Sequence, residues 1–435
     1  MTMYTETVWI FLIMVVTFVL SSWKLKSAEI SMVITAIVGG IAGLVISKLP
    51  FEPRFVVEGM FTYLDLTLTF ITATIFINIY SKTGSLNNIV RTLVSKFYKT
   101  KWILFFFLAI LMLIPGALTG AGSVSILVMG GMVATVLGYM GIEKTKITGF
   151  VFIMAILSAA APPINLWAML MAAGANMPYV GFDLLLLVPV VLVMIVAVFS
   201  MLRKGVPQSK EDILASLPPK TEGMGFLRIA IPPIFLIGII LLSKYAAFKV
   251  PVFGLPFTFV MCTIVALLCS VKKLKLSEIW DVISKTVEQV FPLVATLISV
   301  GVLVTFMTYT GVRGLIAITF ITLPILLTYP MVLFFGPFAQ GSLSYGSAVI
   351  IGTPLIFLFN TLGRDTTITA AALSLIFPIG DCLPPSRIVA RLAIETVGYE
   401  GGYLKFLKSL IIPIVVLAAY AMTMLVNYRW FSFLK

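Results

Sequence analysis

The chain has 435 residues, of which 60% are hydrophobic and 11% are charged, a balance that excludes an ordinary soluble protein. It contains no histidine, which excludes His-based proton relays, metal triads and Ser-His hydrolases. The formal charge of +13 comes from lysines and arginines scattered among short loops, as is typical of a membrane protein, so we expect membrane lipid and no nucleic acid as a partner.

The first half, residues 1–202, predicts five membrane crossings and one intramembrane hairpin. The scaffold helices occupy 1–100 and end in an amphipathic stretch at 87–100 that we expect to lie in the membrane interface. The hairpin and a helix broken by Pro162-Pro163 occupy 101–174. The crossings are predicted at 7–23, 28–48, 63–81, 144–173 and 181–202.

A polar stretch at 203–228 is too short for a domain and predicts a cytoplasmic linker between two halves. The second half, 229–435, repeats the order of the first, with a hairpin at 313–362 and a broken helix at 364–396. Its crossings are predicted near 226–246, 252–271, 287–310, 366–394 and 406–427.

One pattern occurs in both halves: a Gly- and Ser-rich tip, a short polar turn, and an apolar run broken by two prolines. The tip reads PGALTGAGSVS from Pro115 and GPFAQGSLSYGS from Gly336. The prolines stand in AAAPPIN and GDCLPPS, so that Pro384 in the second half corresponds to Pro162 in the first (384 − 162 = 222). Glycine and proline are common in membrane helices, but interrupted segments at matching positions of two halves are typical of a transporter binding site. The sequence therefore predicts an all-α polytopic membrane protein with two repeats.

An odd number of crossings in each half gives the two repeats inverted topology, and the loop charges assign the sides. With ten crossings, 22 lysines and arginines fall on one side and 8 on the other, which together make the 30 in the chain. The positive-inside rule makes the richer side cytoplasmic. We therefore expect a multi-pass protein of the cell (inner) membrane with both termini outside and the hairpin tips meeting near the midplane.

The two tips present hydroxyl, amide and backbone groups that suit a small cation, and half-helix N-termini beside them suit a carboxylate. Asp381 is either a cation ligand or proton carrier, or it pairs with Arg387 or Arg391. Arg387 either binds an anionic substrate, or pairs with Asp381 or Glu395, or extends to the interface. The predicted substrate-binding residues are Thr119, Asn165, Gln340, Ser342 and Arg387.

These residues resemble the large membrane subunit of tripartite ATP-independent periplasmic (TRAP) transporters, within the wider ion-transporter superfamily. The similarity covers most of the chain and is strongest in ALTGAGSVSILVMGG, APPINLWAMLMAAGANMPYVGF and LGRDTTITAAALSLIFPIGDCLPPS. The resemblance implies a sodium-coupled elevator in which a domain of hairpins and broken helices carries a carboxylate past a scaffold. It also implies Na⁺ sites at Gly120, Ser123, Pro162, Gly341, Ser344 and Pro384, to which the residue analysis adds Asp381.

Two features depart from that family, namely the tip TGAGS and the pair Ser386-Arg387 after the second Pro-Pro. The resemblance implies a small membrane subunit and an extracytoplasmic binding protein as partners, unless the chain is a stand-alone relative.

We predict a secondary transporter that imports a small organic anion, such as a dicarboxylate, by symport with sodium, the only cofactor expected. Proton coupling through Asp381, or sodium/proton exchange, is the alternative. A channel would require a continuous polar pore, and an enzyme a nucleophile with a base, and neither is evident.

Overall fold

In a computed structural model of the chain, residues 3–203, 205, 209–245, 253–384 and 387–435 are described, and their regular structure is entirely helical. Pro385 and Ser386, at the second predicted break, and parts of the predicted linker lie outside the described residues.

The first half begins with long apolar helices and ends with the linker helix. Its helices are α1 (Met3–Leu25), α2 (Ala28–Ser47), α3 (Arg54–Phe61), α4 (Leu64–Lys82), α5 (Ser85–Phe97), α6 (Lys101–Thr119), α7 (Gly122–Ser125), α8 (Gly131–Tyr139), α9 (Lys144–Ala160), α10 (Leu166–Gly174), α11 (Asp183–Met201) and α12 (Lys210–Ser216). A widened π-helical turn, Ile126–Gly130, joins α7 to α8.

The second half follows the same order. Its helices are α13 (Phe226–Tyr245), α14 (Leu255–Cys269), α15 (Leu276–Tyr309), α16 (Val312–Ile321), α17 (Ile325–Leu343), α18 (Thr353–Thr361), α19 (Thr366–Ile376), α20 (Ile388–Val397) and α21 (Tyr403–Val426). A π-helical turn, Ala348–Gly352, precedes α18, and 3₁₀-helical segments occupy Phe377–Cys382 and Tyr428–Leu434.

Helix starts recur between the halves at a constant offset in residue number. The offset is 348 − 126 = 222 for the two π-helical turns and 353 − 131 = 222 for α8 and α18. The same difference separates the start of α9 from that of α19 (366 − 144) and the start of α10 from that of α20 (388 − 166). The recurrence therefore includes not only the predicted tips but also the helices that follow them, as far as the second part of each broken helix.

Nine helices of the described part are long and apolar enough to cross a membrane, which agrees with the predicted polytopic protein. Seven of them coincide with predicted crossings, and two are arms of the first hairpin, Lys101–Thr119 and Gly122–Tyr139. The predicted crossings at 144–173 and 366–394 are each divided between two helices. The crossing predicted at 252–271 contains a shorter helix, Leu255–Cys269, because Gly254 caps its start and Pro256 occupies its first turn.

Two groups of helices pack mainly among themselves. The outer group consists of α1 to α4 with α13 to α15, and α15 packs against α2, α3 and α4. The inner group consists of the hairpins and broken helices with α11 and α21, and α9 packs against α6, α11 and α21. The groups meet where α4 contacts α6 and where α15 contacts the π-helical turn of the second hairpin.

The amphipathic stretch forms α5, with Val90 and Val94 buried and Lys96 exposed, as its pattern predicts. Polar side chains of α5 hold the linker by its backbone. Arg91 donates from Nη1 to the carbonyl oxygens of Leu214 at 2.8 Å and Leu217 at 3.0 Å. The linker is therefore fixed to the segment that connects the two helix groups.

Candidate functional site

A cavity of about 240 Å³ lies at the seam between the two helix groups. Its polar lining from the outer group consists of Glu29 on α2 with Gln289 and Thr296 on α15, and Ser123, Ser344 and Asp381 are among the polar residues that line it from the inner group. Both predicted tips and the second predicted break therefore contribute to one cavity.

Gln340 connects the second hairpin to both broken helices. Its side-chain oxygen accepts hydrogen bonds from Trp167 Nε1 at 2.9 Å and from Ser347 Oγ at 2.7 Å. Its Nε2 donates to Asp381 Oδ1 at 3.0 Å. Because Gln340 is only 1% exposed, these bonds fix the direction of its amide and hold the Asp381 carboxyl beside the cavity.

Carbonyl oxygens converge on Gly341, next to Gln340. A Cβ atom at Gly341 would lie 3.0 Å from the carbonyl oxygen of Pro384, 3.2 Å from that of Leu383 and 3.4 Å from that of Gly380. Only a glycine allows the helix to approach this broken segment so closely. Backbone oxygens from an unwound segment beside a buried carboxyl are the kind of ligands that hard cations prefer.

The first tip is arranged differently. Gly120 ends α6 with a φ of 73°, and the Thr119 hydroxyl donates back to the carbonyl of Pro115 at 2.8 Å. A Cβ at Gly120 would meet carbon atoms of Ile164 and Leu166 at 3.1 Å. Thr119 is buried inside its own hairpin, and of the predicted first-tip residues it is Ser123 that lines the cavity.

Asn165 has no exposed surface, and its amide is engaged within the protein. Its Oδ1 accepts from the backbone nitrogen of Ala168 at 3.0 Å and caps α10. Its Nδ2 donates to Ala160 O at 3.0 Å and to Ser374 Oγ at 2.9 Å in the other repeat. This geometry makes Asn165 a link between the two broken helices and places it away from the central cavity.

Pro162 lines a separate cavity of about 550 Å³ with residues of α11, α13 and the C-terminal segment. It therefore does not join Ser123 or Asp381 in the central cavity. Ser342 does not line the central cavity either, and its hydroxyl donates to Phe338 O at 3.2 Å.

Arg387 packs on an aromatic ring. Its guanidinium carbon lies 4.6 Å from the centroid of the Tyr403 ring, and the Tyr403 hydroxyl donates to Cys382 O at 2.6 Å. Within the described part of the chain, no ion pair joins Arg387 to Asp381 or Glu395, and Arg387 does not line the central cavity. The predicted pairing is thus absent from these residues, and the guanidinium stabilises the broken segment through Tyr403.

The sequence analysis missed Glu29, Gln289 and Thr296, which form the opposite wall. Thr296 Oγ1 donates to Glu29 Oε1 at 3.1 Å, and Ser27 Oγ donates to Glu29 Oε2 at 2.9 Å. Gln289 and Thr296 flank Pro292 in α15, but this helix continues through the proline, and neither it nor α2 carries the Gly-rich tip and Pro-Pro break that mark the predicted sites. An acidic residue at the start of an apolar span was the available signal, since charges at such positions are costly unless they serve a site.

A second, polar cavity of about 700 Å³ shares Leu127 and Gln289 with the central one. Asn78 Nδ2 donates to Gln289 Oε1 at 3.3 Å and to Thr286 Oγ1 at 2.9 Å. Lys82 and other residues of the predicted cytoplasmic side also line this second cavity. Leu127 and Gln289 therefore mark the junction between the central cavity and a polar vestibule.

No protein-family profile and no curated protein sequence matches this chain. Its fold is similar to that of the Alcanivorax borkumensis YdaH transporter, described as having an unusual topology, with a TM-score of 0.58 and 14% identity over 86% of this chain and 88% of that one. It is also similar to MtrF of Neisseria gonorrhoeae, from a class described as antimetabolite efflux pumps, with a TM-score of 0.63 and 14% identity over 91% of this chain and 94% of that one.

Membership of the TRAP family, which the motifs suggested, is not supported by these comparisons. The matching stretches are hairpin tips and Pro-Pro breaks, which any fold with interrupted membrane helices requires, so they indicate an architecture more than a family. The described part of the chain is all-helical, has nine helices long and apolar enough to cross a membrane, and shares its fold with these two transporters.

Proposed function

We propose that this protein is a secondary active transporter that couples the movement of a small organic solute to a cation. The observation that carries the proposal is the central cavity, which is bounded by both hairpin tips, one broken helix and the outer helix group. Solute sites near the midplane, between repeats and beside interrupted helices, are the rule in transporters with inverted repeats. Two solved structures that share the fold are both transporters, which supports a transporter over a channel or an enzyme.

The coupling cation binds at the second broken segment. Its ligands are the Asp381 carboxyl and the carbonyl oxygens of Leu383 and Pro384, which lie beside Gly341. The first tip contributes Ser123 as a cavity residue but has apolar neighbours at Gly120. The motifs suggested one cation site in each repeat. We propose instead a single cation site, in the second repeat.

Movement of the inner helix group past the outer group exposes the cavity to the two sides in turn. Support comes from the separate packing of the two groups, the constant offset between helix starts of the two halves, and the position of the cavity at the seam.

Inverted repeats and outward termini follow from the loop charges. With native cysteines removed, single cysteines at Ser209 and Ser277 should react only from the cytoplasm, and one at Lys249, outside the described residues, only from outside. Labelling of Ser209 and Lys249 from the same side would exclude this topology.

Sodium is the proposed coupling ion, and import of an organic anion with it stays a prediction. The described residues that line the cavity include no lysine or arginine, and Arg387 packs on Tyr403 instead. An anion bound there would depend on the coupling ion for its positive partner. A small membrane subunit and an extracytoplasmic binding protein stay predicted partners.

Proton coupling is the second candidate, and one observation favours it. Asp381 accepts a single hydrogen bond among the described residues and is 9% exposed, so protonation is an alternative to metal binding as a way to neutralise it.

Purified protein heated in NaCl, KCl or RbCl of equal ionic strength tests the coupling ion. Sodium should raise the melting temperature, and Asp381→Asn should remove the difference, because the variant lacks the charged ligand. Asp212→Asn, on the exposed linker helix α12, is the matched control and should behave like wild type. Equal melting in all three salts, with a melting temperature that instead follows pH through Asp381, would replace sodium by protons.

A further inference from the structure

The central cavity has two acidic residues and no basic one among its described lining residues. Glu29 projects from the outer helix group and Asp381 from the inner group, so the two carboxyls approach the cavity from different walls. Two carboxylates facing one small space repel each other unless a positive group lies between them or one is protonated. The acidic lining of the cavity therefore favours a solute that carries positive charge.

Glu29 is held in place by hydrogen bonds from its surroundings. Both carboxylate oxygens accept hydrogen bonds, one from Ser27 in the same turn and one from Thr296 on the neighbouring helix. Glu29 also lies in the first turn of α2, at the end of the helix where the backbone N–H groups point. Each oxygen keeps a second lone pair that can accept from a bound ligand.

Asp381 is buried more deeply and is less well satisfied. Its Oδ1 accepts from Gln340, and no hydrogen bond reaches its Oδ2 within the described part of the chain. Burying a carboxylate at 9% exposure without a cationic partner is costly, and the described part of the chain has no lysine or arginine paired with it. A ligand that brings positive charge would supply the missing partner.

The rest of the lining suits the organic part of such a ligand. Phe70 and Tyr345 line the same cavity, and the Tyr345 ring is held 4.8 Å from that of Trp167. Aromatic rings attract ammonium groups as well as alkyl and aryl groups. A volume of about 240 Å³ is below the about 300–1,000 Å³ of pockets for drug-sized ligands, so the solute is small.

We propose that the solute is a small organic cation, an amine whose ammonium group lies between Glu29 and Asp381. This inference rests on the proposed transport function and names its substrate class, a cation in place of the organic anion that the sequence predicted. Because Asp381 is also the proposed ligand of the coupling cation, the ammonium group and that cation compete for one carboxyl. Competition of this kind couples the two as an exchange, in which one cation enters the site as the other leaves.

Three probes of similar size separate the charge classes: 2-phenylethylammonium, 2-phenylethanol and phenylacetate. Purified protein at pH 7 should be stabilised against heat by the ammonium ion, less by the alcohol and least by the carboxylate. Added NaCl should raise the concentration of 2-phenylethylammonium needed for half-maximal stabilisation, with KCl as the ionic-strength control.

Glu29→Gln keeps a side chain of the same length, whose single amide oxygen can accept from Ser27 or Thr296 while its amide nitrogen donates to the other hydroxyl, so the fold should persist. It should weaken the response to 2-phenylethylammonium about tenfold, the equivalent of about 1.4 kcal/mol, and leave the response to the alcohol unchanged. Glu288→Gln is the matched control, because Glu288 neighbours Gln289 but is exposed and does not line the cavity.

Stabilisation by phenylacetate that equals or exceeds that by the ammonium ion would overturn the inference, as would an unchanged ammonium response in Glu29→Gln. If sodium stabilises the protein through Asp381 while ethylammonium, butylammonium and 2-phenylethylammonium all fail to do so, the substrate class is wrong and the coupled transporter stands. If neither sodium, pH nor any amine acts through Asp381, the proposed function fails as well.

Discussion

The two broken segments share a framework and differ in how they use polar groups. Asn165 and Arg387 occupy equivalent positions in the two repeats (387 − 165 = 222), each immediately before a helix. Asn165 caps its helix and bonds to the other repeat, whereas Arg387 has a φ of 49° and packs on Tyr403. The position equivalent to Asp381 is 381 − 222 = 159, a fully buried alanine.

The first segment is therefore closed by bonds within the protein, and the second keeps a carboxyl and backbone oxygens beside a cavity. A repeated architecture positions two similar breaks, but one is sufficient for the proposed chemistry. The other can then serve as a rigid support. Substitutions that affect stability in one repeat and ion binding in the other would establish this division.

The largest effect is expected at Gly341. The added methyl group of Gly341→Ala would lie 3.0–3.4 Å from three carbonyl oxygens and displace the broken segment that provides them. We expect a decrease of at least about tenfold in apparent sodium affinity, measured by thermal stabilisation, since about 1.4 kcal/mol of lost coordination corresponds to that factor.

Gly120→Ala is the matched change in the first tip. It forces alanine into a left-handed conformation at a φ of 73°, which costs about 1–2 kcal/mol of stability. Its apparent sodium affinity should stay that of wild type. If instead Gly120→Ala abolishes the sodium response and Gly341→Ala does not, the two segments have the opposite roles.

A stability effect of about 2–4 kcal/mol is expected for Asn165→Ala. The variant loses the helix cap, worth about 1 kcal/mol, and leaves the buried Ala160 carbonyl without its side-chain donor, which costs about 1–3 kcal/mol. Arg387→Ala removes only a cation–π contact at a partly exposed site, worth about 0.5–1 kcal/mol. Denaturant unfolding of both variants in detergent measures the difference, and an equal or reversed order would contradict the assignment of Asn165.

A smaller effect, of a few fold, is expected at the junction of the two cavities. Leu127→Ala shortens the first-hairpin side chain between the vestibule and Ser123. The measurement uses Ser123→Cys in a background without native cysteines. With Leu127→Ala added, this cysteine should react several times faster with a thiol reagent added from the cytoplasmic side than it does with Leu127 in place. Leu187→Ala, at the separate cavity beside Pro162, is the control and should not change that rate.

Patterns of glycine, proline and hydrophobicity predicted the breaks, because backbone that leaves a helix inside a membrane requires those residues. They did not predict where side chains point at each break. Asn165 and Arg387 stand in equivalent places, but whether such a residue faces a cavity depends on neighbours such as Ser374 and Tyr403, far away in sequence. Glu29 was missed for the same reason, since its partner Thr296 is 267 residues away.

The smallest effect concerns Asp365, in the turn before α19 and outside the apolar spans. Its Oδ1 accepts from the backbone nitrogens of Thr367 at 2.9 Å and Ile368 at 3.0 Å, and its Oδ2 accepts from Lys435 Nζ at 2.8 Å. Partial burial acts to raise the pKa of this carboxyl, but these hydrogen bonds and the Lys435 charge outweigh it and hold the pKa below its usual value. Asparagine can still cap the helix, so Asp365→Asn isolates the ion pair, whereas Asp365→Ala also removes the cap.

Because the folded-state pKa of Asp365 is lowered, the stability that its charge contributes is present above the unfolded value of about 3.9 and is lost as pH falls through the folded value. At pH 7 we expect Asp365→Asn to cost no more than about 1 kcal/mol, since Lys435 is 45% exposed and screened by solvent. Asp365→Ala should cost about 1 kcal/mol more. Melting curves between pH 7 and pH 3 should show the gap between wild type and Asp365→Asn closing at the acid end, while the gap between the two variants persists. A wild-type advantage that instead grows on acidification would mean that folding disfavours the charged form of Asp365, and it would contradict the role given to the Lys435 ion pair.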